Sequence, residues 1–341
     1  MLELQEGFKM NNKEILLSIK DLKTYFPIKK GVIKRTVGAV KAVDGINLDI
    51  YKGETIALVG ESGCGKTTLG KAILNLVKST NGEVLYNFDG KFQDILKLNQ
   101  EEMKMARSKM QIIFQDPYSS LNPAFTIFGS LRESLSTYGI KSKQTQRKII
   151  SDLLCEVNLS EEALNRYPNE FSGGQRQRIG IARALLINPE LIVCDEAVSA
   201  LDVSIQAQVL KLLEKFKQER NLTYLFITHN LSVVEYFSDR VAVMYLGRIV
   251  ELCKTEELFS NPLHPYTKAL LSAIPVADID YKKNQIILKG DVPSPVNPPS
   301  GCPFHTRCQY VTEQCKKVVP KLININKDND EQHWVSCHLY K

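Results

Sequence analysis

The stretch TIALVGESGCGKTTLGKAI, Thr55 to Ile73, decides the fold of this chain. It begins with a short apolar run, continues with GESGCGKT, which fits the pattern G-x-x-x-x-G-K-[ST], and ends with apolar residues at helical spacing. Glycines let backbone N–H groups turn inward around phosphate oxygens, and the dipole of a following helix adds positive potential. The sequence therefore predicts a strand, a phosphate-binding loop and a helix, in that order.

Each residue of this loop has an expected place around a nucleotide. Lys66 would reach the β and γ phosphates, and the Thr67 hydroxyl would bind Mg²⁺. The whole set that we expect around ATP is Gly60, Glu61, Ser62, Gly63, Cys64, Gly65, Lys66, Thr67 and Thr68.

Four further apolar runs have the length of strands that are buried on both faces: MQIIFQ at 110–115, LIVCDE at 191–196, LTYLFITH at 222–229 and RVAVMYLG at 240–247. Such continuous runs are typical of parallel sheets covered by helices. Helical spacing lies between them, at Leu69, Ala72, Ile73, Leu76 and Val77 and again over 204–216. Residues from about 120 to 185 show helix and loop patterns only. The sequence predicts an α/β fold with a helical insert.

The run LIVCDE ends in two acidic residues, Asp195 and Glu196. Asp195 would hold Mg²⁺, directly or through water, and Glu196 would polarise the attacking water as a general base. Two acids at a strand end can also cap a helix, but a phosphate loop in the same chain favours the catalytic interpretation. His229 and Gln115 end two other runs; alone, such a histidine is more often a structural hydrogen-bonding residue.

A second glycine loop, FSGGQRQRIGIARAL (171–185), lacks the lysine of a phosphate loop. Ser172 and Gln175 form the S-x-x-Q pattern of a capping box. However, the two glycines weaken a helix, and Arg176 and Arg178 place positive charge where the helix dipole disfavours it. An anion from outside the helix would remove that conflict.

In their order along the chain, these motifs resemble those of the ATP-binding cassette ATPases. Gln115 corresponds to the Q-loop, FSGGQ to the signature loop, SALD (199–202) to the D-loop and His229 to the switch histidine. The resemblance covers about residues 15 to 275. It implies a P-loop ATPase with a RecA-like core and mixed sheet, a β-subdomain and a helical subdomain at about 120–185.

The same resemblance assigns roles to individual residues. Catalysis would involve Glu196, His229, Gln115 and Lys66, and Mg²⁺ would be bound by Thr67, Gln115 and Asp195. Phe26, with Tyr25 beside it, looks like the aromatic side chain that stacks on adenine. Cassette ATPases pack head to tail, so a partner's nucleotide would meet the signature and D-loop residues Ser172, Gly173, Gly174, Gln175 and Asp202.

The segments IIFQDPYSSLNP (112–123) and NPLHPYTKALLSAIP (261–275) resemble the ATP-binding subunits of bacterial oligopeptide and dipeptide importers, and more closely the second of their two paralogous ATPases. This implies a heterodimer with a paralogous ATPase, two transmembrane permease subunits and, indirectly, an extracytoplasmic peptide-binding protein, with no nucleic acid. The alternatives are an ATPase of a nickel or metallophore importer, a soluble cassette ATPase, and a redox-responsive regulatory module.

Four of the eight cysteines, Cys302, Cys308, Cys315 and Cys337, lie in the last forty residues. Their spacing lacks the C-x2-C pairs of zinc ribbons, but four thiols in a reducing compartment indicate a metal. The importer ATPases that the chain resembles carry a [4Fe-4S] cluster in this region, and four cysteines are the right number of ligands. Zinc, with His305, His333 or His338 as substitute ligands, and free thiols are the alternatives.

Composition agrees with a soluble globular protein, because 43% of the 341 residues are hydrophobic and 24% are charged. There is no run of about 18 apolar residues and no signal peptide at the start, so we expect a cytosolic protein. The resemblance to importer ATPases implies a peripheral position on the cytoplasmic face of the membrane. The basic segment 28–41 is a solvated loop or a contact for anionic lipid or for a partner subunit. The predicted domains are an extension (1–14), the nucleotide-binding domain (15–275), a proline-rich linker (276–300) and the cysteine-rich tail (301–341).

Overall fold

A computed structural model of the chain describes residues 14–31, 35–116, 121–274, 285–326 and 332–340. Almost all of the predicted N-terminal extension, the first part of the linker up to residue 284, and residues 32–34 of the basic segment lie outside these ranges. The chain divides into two compact units, residues 1–97 with 229–341 and residues 98–228. Elements are numbered below in chain order.

The first unit contains an antiparallel sheet of four strands in the order β2-β1-β4-β5. The strands are β1 (Ile15–Lys30), β2 (Arg35–Tyr51), β4 (Asn81–Phe88) and β5 (Lys91–Asp94). Leu17 and Ile19, two residues apart on β1, are both buried, as expected for one face of a strand. This sheet agrees with the predicted β-subdomain.

The same unit also contains strands of a mixed sheet, in the order β11-β12-β10-β9-β3. They are β3 (Thr55–Val59), β9 (Arg240–Tyr245), β10 (Arg248–Lys254), β11 (Ile323–Asn324) and β12 (Trp334–Val335). β3 and β9 are parallel, whereas β9, β10, β12 and β11 pair antiparallel. The helices of this unit are α1 (Lys66–Ile73), α7 (Leu231–Phe237), α8 (Thr255–Ser260), α9 (Pro265–Ser272) and α10 (Glu313–Lys317).

The second unit contains three parallel strands, β6 (Met110–Ile113), β7 (Leu191–Asp195) and β8 (Thr223–Ile227), in the order β6-β7-β8. Its helices are α2 (Gln100–Lys109), α3 (Ile127–Thr137), α4 (Lys143–Glu156), α5 (Gly173–Leu185) and α6 (Val203–Arg220). Every residue of β7 and β8 is buried, so the continuous apolar runs are indeed strands covered on both faces.

The helix after the phosphate loop is shorter than its apolar spacing predicts. It ends at Ile73, so the expectation that it includes Leu76 and Val77 is wrong. Asn75 adopts a left-handed backbone with φ 49°, and the Leu76 N–H donates to the Lys71 carbonyl at 2.9 Å. These are the features of a Schellman motif, in which asparagine tolerates the conformation that stops a helix.

The described part of the tail packs into the core of the first unit. Cys302 and Phe304 are buried with Val241, Val243 and Tyr245 of β9. Before them, the proline-rich stretch is held against β2, where the Lys41 N–H donates to the Pro295 carbonyl at 3.1 Å. No helix in the described ranges combines the length and the apolar character needed to cross a membrane.

Candidate nucleotide-binding site

The predicted phosphate loop connects β3 to α1, as its sequence requires. Lys66 is only 5% exposed, and its Nζ donates to the carbonyl oxygens of Gly60 at 2.8 Å and Glu61 at 3.1 Å. Gly65 is the N-cap of α1, and no side chain caps the helix. The first N–H groups of α1 therefore face the loop and are suited to bind an anion.

Two glycines allow the loop to lie close to other backbone segments. Gly65 has φ +107°, and a Cβ at this position would lie 1.9 Å from the Ala42 carbonyl oxygen. Gly60 has φ +150°, and its Cβ would lie 2.1 Å from the Met244 carbonyl oxygen. No other residue fits at either place without moving β2 or the end of β9.

The predicted catalytic acids follow β7 in the second unit. Asp195 is 3% exposed at the last position of the strand. Glu196 has a left-handed φ of 49°, and its N–H donates to the Ile227 carbonyl of β8 at 2.9 Å. The Gln115 Nε2 donates to the Glu196 Oε2 at 2.9 Å. The structure thus brings together two predicted site residues that lie far apart in the sequence.

The two aromatic candidates for adenine stacking differ in their surroundings. The Tyr25 hydroxyl donates to Asp44, which also pairs with Arg248 at 2.6 Å. Burial and the hydrogen bond to Asp44 raise the pKa of Tyr25 to about 12. Phe26 is 41% exposed. Only the Phe26 ring therefore presents an open face.

His229 follows β8 and is exposed. It precedes Asn230, the N-cap of α7, whose side chain accepts a hydrogen bond from the Ser232 N–H at 3.1 Å. The histidine is therefore held in a short turn between a strand and a helix.

The signature loop is the N-terminus of α5 and contains the predicted capping box. The Ser172 N–H donates to the Gln175 Oε1 at 3.0 Å, and the Ser172 Oγ accepts from the Gln175 N–H at 3.4 Å. Ser172 is exposed, and the first turn of α5 contains no acid. A Cβ on Gly174 would lie 2.5 Å from the Ile205 Cγ2, whereas one on Gly173 would meet nothing. The loop therefore presents an exposed serine, and the first turn of its helix contains no negative charge.

The D-loop residue Asp202 caps α6. Its Oδ1 accepts from the Ile205 N–H at 2.9 Å and the Ser204 hydroxyl at 2.7 Å. These hydrogen bonds hold the pKa of Asp202 below its usual value. The carboxylate consequently has a structural role within its own chain.

The structure brings the four tail cysteines together. The Cys302 N–H donates to the Cys315 carbonyl at 2.8 Å. Burial, with the nearby thiols of Cys315, Cys337 and Cys308, raises the pKa of the Cys302 thiol to about 11. Burial and the nearby thiols of Cys308 and Cys315 also raise the pKa of Cys337. Four residues spread over 36 positions of sequence therefore lie near enough in the fold for their thiols to influence one another, as the spacing alone could not show.

Sequence reasoning missed two residues at the phosphate loop. The Tyr266 hydroxyl accepts a hydrogen bond from the Glu61 N–H at 2.8 Å, and Arg307 forms two hydrogen bonds with the Glu61 carboxylate. Both lie more than 200 residues further along the chain. No local pattern in the sequence signals such contacts.

A strand, a glycine loop with a buried lysine, and a helix define a P-loop nucleotide-binding protein. A family model described as ABC transporter matches residues 43–199, and one described as Oligopeptide/dipeptide transporter, C-terminal region, matches residues 250–315. The chain is similar in structure to the dimeric ATP-binding cassette MJ0796 bound to ADP and phosphate, with a TM-score of 0.61 and 30% identity over 70% of this chain and 99% of that one.

Two curated relatives extend the similarity to nearly the full length. The oligopeptide transport ATP-binding protein AppF of Bacillus subtilis is 51% identical over 96% of this chain and 98% of its own length. The corresponding protein OppF of Escherichia coli is 50% identical over 95% and 96%. The chain belongs to the ABC transporter family, among its oligopeptide transport ATP-binding proteins.

The close approach of Gly65 leads to a test of the loop. We expect Gly65→Ala to lower the free energy of unfolding by about 3 kcal/mol or more, because both the left-handed φ and the contact with the Ala42 carbonyl oppose a side chain. Gly63 also has a positive φ, +78°, but open space around it, so Gly63→Ala is the matched control and should cost about 1–2 kcal/mol. Thermal unfolding measures both variants; equal losses would contradict the packing argument.

Proposed function

We propose that this chain is the ATP-hydrolysing subunit that drives oligopeptide import. The observation that carries the proposal is its similarity, over nearly the whole length and including the C-terminal region, to oligopeptide transport ATP-binding proteins. The relatives give no support to the nickel-import or soluble alternatives. Two permease subunits form the membrane pathway, and a peptide-binding protein outside the cell delivers the substrate. The chain acts as a peripheral subunit at the cytoplasmic face.

The phosphate loop binds the triphosphate. Lys66 leaves the Gly60 and Glu61 carbonyls and contacts the β and γ phosphates, and the N–H groups at the start of α1 surround them. Phe26 stacks on adenine through its exposed face, whereas Tyr25 supports the strand by its bond to Asp44. The glycines at 60 and 65 fix the loop in place before the nucleotide arrives.

Three further residues would hold Mg²⁺, and a fourth would act on the attacking water. Thr67, Asp195 and Gln115 would offer oxygen ligands, which suit Mg²⁺, and the bound ion would supply positive charge to neutralise the phosphates. Glu196 orients the water and accepts its proton. The hydrogen bond from Gln115 and the fixed backbone hold its carboxylate at one position. His229, in its turn after β8, interacts with the γ-phosphate.

The signature loop serves the nucleotide of a second ATPase. Its exposed serine and a helix N-terminus whose first turn contains no acid suit an anion supplied by another molecule. The similar cassette MJ0796 is a dimer with ADP and phosphate. We place this chain in a head-to-tail heterodimer with a paralogous ATPase, in which Asp202 holds α6 beside the shared site.

The four tail cysteines fit a [4Fe-4S] cluster better than zinc. A tetrahedral zinc site brings its sulfurs to within about 4 Å of one another, since each Zn–S bond is about 2.3 Å. Among the described residues, the group of three or more possible ligands within 4.8 Å is Glu251, Cys253 and His333, without any of the four tail thiols. In a cubane cluster each cysteine binds a different iron, so wider spacing is required.

Each histidine that could replace a cysteine at zinc has one ring nitrogen in a hydrogen bond. The His333 Nε2 lies 2.8 Å from the Glu251 Oε1, and the His338 Nε2 lies 2.8 Å from the Val318 carbonyl. The His305 Nδ1 lies 2.9 Å from the Cys302 carbonyl. Because the second ring nitrogen could still bind a metal, the ligand set of cysteines alone rests on the number of cysteines, and the cluster would stabilise a tail that has little regular secondary structure.

Glu196→Gln tests the hydrolytic role. The amide cannot take a proton from water, so we expect ATP turnover to fall by about 100-fold or more while Mg-ATP binding is retained and the closed dimer accumulates. Steady-state ATPase assays and size-exclusion chromatography with ATP measure the two effects. Glu162→Gln, at an exposed glutamate of the second unit outside the proposed site, is the control for charge loss. Undiminished turnover in Glu196→Gln would remove this residue from the chemistry.

The cluster is tested by metal analysis. After anaerobic purification we expect about four irons and four sulfides per chain and an absorbance band at about 400 nm. Cys315→Ser should lose this signal, whereas Cys155→Ser, at an exposed cysteine in the second unit, should keep it. Stoichiometric zinc without iron would contradict the assignment.

A further inference from the structure

Arg307 lies between two of the tail cysteines and reaches the phosphate loop. Its Nη1 donates to the Glu61 Oε2 at 2.8 Å and its Nη2 to the Glu61 Oε1 at 3.1 Å. The Arg307 side chain is 8% exposed and that of Glu61 is 26% exposed. A paired, partly buried contact of this kind is stronger and more directional than a surface ion pair.

Glu61 is held at three atoms. Its N–H donates to the Tyr266 hydroxyl at 2.8 Å, its carboxylate accepts from Arg307, and its carbonyl accepts from the Lys66 Nζ at 3.1 Å. Under the proposed function, Lys66 must leave that carbonyl when it contacts phosphate. Glu61 is then kept in place by Tyr266, by Arg307 and by the 3.3 Å hydrogen bond from the Cys64 N–H to its carbonyl.

Aromatic packing fixes the residues that hold Glu61. Phe304, 1% exposed, packs against Tyr245 with ring centroids 5.3 Å apart and against Tyr266 at 5.4 Å. The Arg307 N–H donates to the Phe304 carbonyl at 3.0 Å, which places the arginine one turn after this anchor. The tail thus supports both Tyr266 and Arg307.

Docking of the tail does not require the contact with Glu61. β12 pairs with β10, and fully buried His333 contacts Glu251. The ion pair of Arg307 instead involves Glu61, the second residue of the phosphate loop. An unpaired Glu61 carboxylate would also repel a triphosphate, and the Arg307 guanidinium neutralises it.

We propose that Arg307 and Tyr266 are positioning residues for ATP binding, through which the cysteine tail sets the shape and charge of the phosphate loop. The inference rests on the proposed nucleotide site at Lys66 and adds residues outside its motifs. They act through Glu61 and do not touch ATP.

The test measures Mg-ATP dissociation constants of the full-length protein by isothermal titration calorimetry. Arg307→Ala should raise the dissociation constant about tenfold, because it removes the two charged hydrogen bonds that hold the Glu61 carboxylate. Tyr266→Phe keeps the buried ring but loses the hydroxyl, and it should raise the dissociation constant about threefold. This is a small effect, as expected for the loss of one neutral hydrogen bond. Lys316→Ala, at the exposed Lys316–Glu313 pair of the same tail, is the matched control and should change nothing.

A double variant separates positioning from mere packing of the tail. Glu61→Gln in the Arg307→Ala background removes the unpaired charge and should recover part of the lost affinity, whereas loss of packing alone predicts no recovery. Folded Arg307→Ala and Tyr266→Phe proteins with wild-type dissociation constants would overturn the inference. Wild-type ATP affinity in Lys66→Ala would instead overturn the nucleotide site itself.

Discussion

The phosphate loop lies directly against two backbone carbonyls, and this constraint fixes the position of Lys66 and of the start of α1. Gly60 meets the end of β9 and Gly65 meets β2, each at a distance that leaves no room for a Cβ. These contacts hold the loop against β2 and β9 and thereby fix the start of α1. The Lys66 Nζ is held at the same loop by hydrogen bonds to its carbonyl groups.

The described contacts also explain why a small cysteine-rich tail belongs to an ATPase. Phe304 and Cys302 complete the core around β9, and Arg307 extends from this packed region to Glu61. Under the proposed function, a cluster bound by the thiols at 302, 308, 315 and 337 would stabilise the tail where regular secondary structure is sparse. The tail is thus connected to the phosphate loop by the Arg307–Glu61 ion pair, although more than 200 residues separate these two residues in the sequence.

Much of this fold follows from local patterns in the sequence. Continuous apolar runs predicted five strands correctly because buried parallel strands have no polar face, and the glycine–lysine spacing predicted the loop between β3 and α1. The helix end at Asn75 was missed because apolar spacing carries no information about backbone φ. The hydrogen bond from Gln115 to Glu196 and the ion pair from Arg307 to Glu61 could not be predicted, since both depend on tertiary folding of distant segments.

The capping box at Ser172 is compatible with the proposed role of the signature loop, because Ser172 both caps α5 and remains exposed. The direct measurement is nucleotide photolabelling with 8-azido-ATP and vanadate trapping in the complex of this chain with its paralogue, using Ser172→Arg. If the loop completes the partner's site, this chain keeps its own label and trapped nucleotide disappears from the partner. Loss of label from this chain, with trapping retained in the partner, would contradict the shared-site arrangement.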